Sequence, residues 1–170
     1  MLDSVQQDVA AALTAATPDL LFQELVEASE ITVDAYISRE GRCIVCVQRV
    51  RDKVVGGQAF QTHTVNVPAV GDLAFRTISA LAHAGLRGPL NVQIFQTIPP
   101  VVLEVNTRLG SAVVLSNFAC GGRLLDALLT EALGGTGSGD PFDYRVGLQL
   151  SRYLGDIFHN GNEVVAIKPL

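Results

Sequence analysis

The sequence predicts an α+β domain: a largely antiparallel sheet with flanking helices. Two observations carry that class. Strand-like runs dominate the order, with helical stretches interspersed. Residues 88–110, GPLNVQIFQTIPPVVLEVNTRLG, form two apolar runs around a break holding Pro99 and Pro100, the pattern of a β-hairpin.

Bulk properties set the frame. A chain of 170 residues is long enough to bury a core, and 1–170 reads as a single domain. A hydrophobic share of 48% against 17% charged excludes intrinsic disorder. The net charge of −5 argues against nucleic acid, which calls for a basic patch. An anionic ligand such as a nucleotide needs only a few local cations, and Arg49, Arg51, Lys53, Arg87, Arg108 and Arg123 are the candidates. The start, MLDSVQQDVAAALTAATPD, lacks the basic leader and continuous apolar core of a secretory signal. No run has the length of a membrane span. Three scattered cysteines make no disulfide framework, so a cytoplasmic location is the expectation.

In chain order, Ser4 and Gln7 resemble a capping box, and Val5, Val9, Leu13 and Ala16 make one helical stripe ending before Pro18. This helical lead covers residues 1–19. A short apolar run occupies 20–26, and residues 30–37 (EITVDAYI) alternate as a strand. After a turn at 39–42 comes a strand over 43–50. Cys43 and Cys46 form a lone CxxC, and a regular strand would turn them to opposite faces, which speaks against a metal or redox pair. Arg49, Arg51 and Lys53 alternate, as on a solvated edge strand, with a phosphate-facing role as the alternative. Gly56 and Gly57 break this strand from the next. Pro68, an apolar face including Leu73, Ile78 and Leu81, and Gly85 define a helix over 68–83. Beyond the hairpin, Ser116 or Asn117 caps a helical region strongest over 123–133, and Gly134 ends it. Residues 134–141 (GGTGSGDP) form a flexible loop, followed by strands over 145–153 and 163–168. His63, His83 and His159 are isolated and lack metal-ligand spacing.

The hairpin carries the chemistry. Side chains two apart on a strand share a face, so Asn91 and Gln93 point together, and Glu104, Asn106 and Arg108 form one row. Closing the hairpin brings Gln93 to Glu104 and Asn106 where the two polar faces coincide. Oxygen donors with one carboxylate suit Mg²⁺, which is held by one or two carboxylates together with substrate phosphates. A solvated polar face on a half-exposed hairpin is the plain alternative.

Several patterns in order point to a family. FQELVEASEITVD (22–34), LRGPLNVQIF (86–95) and LEVNTRLG (103–110) resemble the hinge, the Asn-Val-Gln strand and the metal strand of the ATP-grasp ligases. The resemblance is nearest to the carbamoyl-phosphate-synthase-like type. It covers 20–155, leaving 156–170 as a C-terminal strand, and implies the C-terminal ATP-grasp subdomain. It also implies ATP and Mg²⁺ as cofactors. The backbone of Glu24, Leu25 and Val26 would meet the adenine edge, and Glu30 the ribose hydroxyls. Glu104 would bridge two Mg²⁺ ions with Gln93 and Asn106 as further ligands, and Arg108 would contact the transferred phosphoryl group. The family reaction joins a small carboxylate to an amine or ammonia through an acyl phosphate.

Three departures stand out. Thr107 replaces a usual proline, and GSAV (110–113) replaces a more glycine-rich loop. The resemblance also begins at the hinge, so an N-terminal ATP-grasp half, on another chain or in a longer parent, is expected as partner. The isolated chain would then be inactive. The competing expectation is a non-catalytic module using the scaffold for homodimerisation or regulation.

Overall fold

The computed structural model describes residues 24–152, together with the backbone of two further strands at 155–160 and 163–169. The helical lead expected over 1–19 lies outside the described residues. In order, the elements are β1 (Glu30–Ile37), β2 (Cys43–Val55), β3 (Gln58–Val65), α1 (Pro68–His83), β4 (Gly88–Phe95), β5 (Val101–Asn106), α2 (Val113–Ala119), α3 (Arg123–Ala132), β6 (Gln149–Ser151), β7 (Gly155–Asn160) and β8 (Glu163–Pro169). Six strands form one sheet in the order β5-β4-β1-β2-β3-β6, and β7 pairs with β8 separately. Every pairing is antiparallel. The expected α+β class, with an antiparallel sheet and flanking helices, is what the molecule has.

One sheet face is covered by α1. Its buried stripe, Val70, Ala74, Ile78 and Ala82, repeats every four residues and packs on Ile31, Val33, Ala35, Val92 and Ile94. Leu73 and Leu81 are only partly buried flanks of that stripe. Pro68 opens the helix, where its missing N–H costs nothing, and Gln48 Oε1 accepts the Val67 amide at 3.0 Å. At the other end Gly85 takes φ +98°, and the Leu86 amide closes on the Leu81 carbonyl at 3.0 Å. The hairpin of β4 and β5 follows directly.

The opposite face divides in two. Tyr36, Val45 and Val47 are covered by Ala119 and Cys120 at the end of α2 and by Leu124 and Ala127 of α3. The two helices meet at 95° across Gly121 and Gly122, both with positive φ. Asn117 does cap: its Oδ1 accepts the Leu125 amide in the first turn of α3. Ser116 instead lies buried within α2. The rest of this face, over β5, β4, β1 and β2, is polar.

Several expectations are corrected. The strand that carries Arg49, Arg51 and Lys53 is not an edge: β2 lies between β1 and β3, extends to Val55, and buries Arg49 to 3% exposure. Cys43 and Cys46 do not face opposite ways. Tyr36 pairs with Val45 but Ile37 with Cys43, so Ile44 is an extra residue and this bulge returns both cysteines to the α1 face. The neighbouring Cys43 thiol, together with burial, pushes the Cys46 thiol well up. The strand expected over 145–153 is confined to Gln149–Ser151, because Tyr144 and Leu148 fold onto the sheet and tie residues 144–148 to β3. No single helix among the described residues is long and apolar enough to cross a membrane.

Candidate functional site

Antiparallel register assembles the polar face row by row. Gln93 is paired with Glu104 on one side and with Thr32 on the other, and Thr32 is paired with Arg49. The next row runs Asn106, Asn91, Asp34. Four strands thus bring together side chains up to 74 residues apart in sequence, from Thr32 to Asn106.

The row expected to hold metal lies at the β4–β5 edge. Asn106 Nδ2 donates to Glu104 Oε1 at 2.7 Å and to Asn91 Oδ1 at 3.3 Å. Asn106 Oδ1 and the second oxygen of Glu104 have no protein partner among the described residues, and Glu104 is exposed. No three His, Cys, Asp or Glu side chains converge among the described residues. A cation held here therefore rests on one carboxylate, the amide oxygens of Gln93 and Asn106, and oxygens of its ligand. That all-oxygen set fits Mg²⁺.

Beyond the row, Arg108 is exposed and donates only to the Leu109 carbonyl at 3.3 Å, so its charge has no carboxylate partner among the described residues. Glu30 stands one row from Gln93, paired with Phe95. Its Oε1 accepts from Arg51 Nη1 at 3.2 Å. The backbone expected as the hinge, Glu24 to Val26, belongs to no helix or strand, with Leu25 83% exposed and the Val26 carbonyl accepting the Ala28 amide at 3.2 Å. The structure therefore gathers Gln93, Glu104, Asn106 and Arg108, and sets Glu30 at the same end of the sheet.

A recess of about 140 Å³ adjoins the row, with Gln93 as the shared wall. Thr32, Arg49, Arg51, Asn91 and Arg108 line it, and Gly110 and Ser111 close one side. Beneath it lies a buried network that sequence reasoning missed. Arg49 Nε donates to Asp34 Oδ2 at 2.8 Å, and Ser116 Oγ donates to the same oxygen at 2.6 Å. Asp34 Oδ1 and Arg49 Nη1 are buried without partners among the described residues. The one available signal was Asp34 and Arg49 each sitting among apolar residues on strands that the alternation had already placed.

Among curated protein sequences none matches. By structure, the chain is similar to a pyruvate carboxylase from Rhizobium etli with the allosteric activator acetyl coenzyme A, at TM-score 0.60 and 16% identity, covering 81% of this chain and 15% of that one. It is also similar to a biotin carboxylase–βγ-ATP complex from Campylobacter jejuni, at TM-score 0.61 and 14% identity, covering 79% of this chain and 34% of that one. The chain thus spans a minor part of either protein, and identities this low speak for the fold alone. The family model described as ATP-grasp in the biosynthetic pathway with Ter operon matches residues 16–153, well over half of the 170. This chain belongs to that ATP-grasp family.

Proposed function

We propose that the chain supplies the metal-and-phosphate wall of an ATP-dependent carboxylate–amine ligase of carbamoyl-phosphate-synthase-like type. The observation that carries this reading is the direct cross-strand pairing of Gln93 with Glu104, with Asn106 bonded to Glu104 and Arg108 just beyond. Gln93, Glu104 and Asn106 would hold Mg²⁺, which when bound supplies charge neutralisation on phosphate oxygens. In the reaction, an oxygen of the substrate carboxylate attacks the γ-phosphorus of ATP and ADP leaves. The amine nitrogen then attacks the acyl carbon, and phosphate leaves. Arg108 supports both steps by donating to the phosphoryl oxygens as negative charge gathers there. Glu24, Leu25, Val26 and Glu30 would receive the adenosine. An upstream ATP-grasp half, on another chain or in a longer parent, completes the cleft.

Calorimetric titration with Mg-ATP, with and without an upstream half, tests this reading. A heat of binding that Glu104→Gln abolishes is the expected result; no response in either setting overturns it.

A second reading, a non-catalytic module that associates with itself, draws on an exposed apolar stripe. Leu125 and Leu129 repeat along α3 and Leu133 follows at its C-cap, with Leu129 and Leu133 61% and 89% exposed. Sedimentation showing a monomer at high concentration counts against it.

A further inference from the structure

We propose that the recess between Arg49 and Arg108 is a second oxyanion subsite, adjoining the metal row, and that Arg49 is its fixed donor. The proposal rests on the ligase reading for its place in catalysis but not for its existence. Its chemistry is that of a carboxylate or phosphate oxygen pair, the geometry a guanidinium fork is built to grip.

Four observations carry it. A guanidinium has five N–H donors, and only one of those on Arg49 is engaged by protein among the described residues, by Asp34. Its side chain is 4% exposed, and Nη1 is buried with no partner among the described residues. The ion pair and the Ser116 hydroxyl fix it from below: Asp34 Oδ2 receives both, which ties β2, β1 and α2 together beneath the recess. The third observation is Gly110. A Cβ there would lie 3.0 Å from Asp34 Oδ1, 3.2 Å from Arg49 Nη2 and 3.5 Å from Asn91 Nδ2. A side chain at this position would fill the space in front of the guanidinium, and glycine leaves it open. The fourth is charge. Arg51 and Arg108 line the same recess, and Arg51 is already balanced by Glu30 while Arg108 has no acidic partner among the described residues. An incoming oxyanion would therefore meet one fixed guanidinium and one uncompensated one. Asp34 keeps Arg49 in place as a positioning residue, and Ser116 carries the arrangement to α2.

The test is an NMR titration of the isotope-labelled chain at constant ionic strength, with sodium phosphate in one series and sodium malonate in another. The Nε–H signal of Arg49 and the side-chain amide of Asn91 should shift saturably with at least one of them. Phosphate alone assigns the subsite to the transferred phosphoryl group; malonate alone assigns it to the substrate carboxylate; both together support a shared oxyanion grip. Arg49→Gln should abolish the saturable shift at Asn91, and Arg49→Lys should weaken it at least tenfold, because an ammonium lacks the fork. Arg76→Gln, on the outer side of α1, should leave it unchanged. Glu104→Gln separates the two proposals: it should lose Mg-ATP while keeping the shift at Asn91. Saturable shifts from neither anion in the unmodified chain, or binding in Arg49→Gln equal to the parent, would overturn the subsite.

Discussion

Asp34 and Arg49 lie 2.8 Å apart with side chains 2% and 4% exposed, so neither can change alone without stranding a buried charge on the other. Breaking such a pair from one side typically costs about 3–5 kcal/mol, whereas a well-packed apolar replacement of both is near neutral. Asp34→Asn should accordingly destabilise the fold by about 3 kcal/mol in urea unfolding. The double change of Asp34→Leu with Arg49→Met should recover most of that loss and still fail to bind phosphate or malonate. A double variant as unstable as the single one would show that the network is needed for folding in its own right. Gly110→Ala belongs to the same neighbourhood: a methyl 3.0 Å from Asp34 Oδ1 overpacks the recess, at about 1–3 kcal/mol. Legibility differed sharply between these residues and the metal row. Gln93 and Glu104 could be brought near each other from sequence because a hairpin joins its own two strands, although their direct pairing also depends on a register shift between Gln93 and Ile94. The pairing of Arg49 with Asp34 joins β2 to β1 and its cover is α2, 82 residues from Asp34, so local periodicity carries no trace of it.

At the scale of elements, α3 is locked to the sheet through one buried carboxylate. Glu131 accepts from the Tyr36 hydroxyl at 3.0 Å, from the Arg39 amide at 3.0 Å and from the Gly137 amide at 3.4 Å. It joins a helix end, the turn after β1 and the loop that sequence composition reads as merely flexible. Glu131→Ala should leave these donors unmet and cost about 3 kcal/mol in thermal or urea unfolding. Tyr36 adds a pH signature. Burial first, and the bond to Glu131 second, push its hydroxyl up to about 12 from an ordinary value near 10. The folded state therefore favours the protonated phenol: the contribution is complete below pH 10 and is lost as pH rises through 12. Unfolding free energy should fall over that window by on the order of 2 kcal/mol in the parent, and Tyr36→Phe should flatten the decline. An equal decline in Tyr36→Phe would place its origin elsewhere. The β2 bulge shows why other element-level details escaped the sequence. A single inserted residue, Ile44, reverses the face of everything before it, and no composition cue marks it among CIVCV.

At the scale of the molecule, the two sheet faces divide the labour. The α1 side is a dry core, and the other side is half covered by α2 and α3 and half left as an open polar floor. A floor is not an enclosure: small-molecule sites bury most of their ligand, and a recess of about 140 Å³ takes an oxyanion rather than a nucleotide. An enclosed ligand of this size gains about 0.3 kcal/mol per non-hydrogen atom, so ATP with about 31 such atoms would reach about 9 kcal/mol. One wall offers about half of that, which corresponds to a Kd on the order of 1 mM. Mg-ATP should therefore bind this chain weakly by NMR or calorimetry, and an upstream half should tighten binding toward the micromolar range. Chelating Mg²⁺ with EDTA should reduce the affinity of the chain to that of Glu104→Gln and leave that variant itself unchanged, because the carboxylate acts through the cation. Micromolar binding by the chain alone would mean that the polar floor is already a complete site. Equal sensitivity to EDTA in both proteins would remove Glu104 from the metal row.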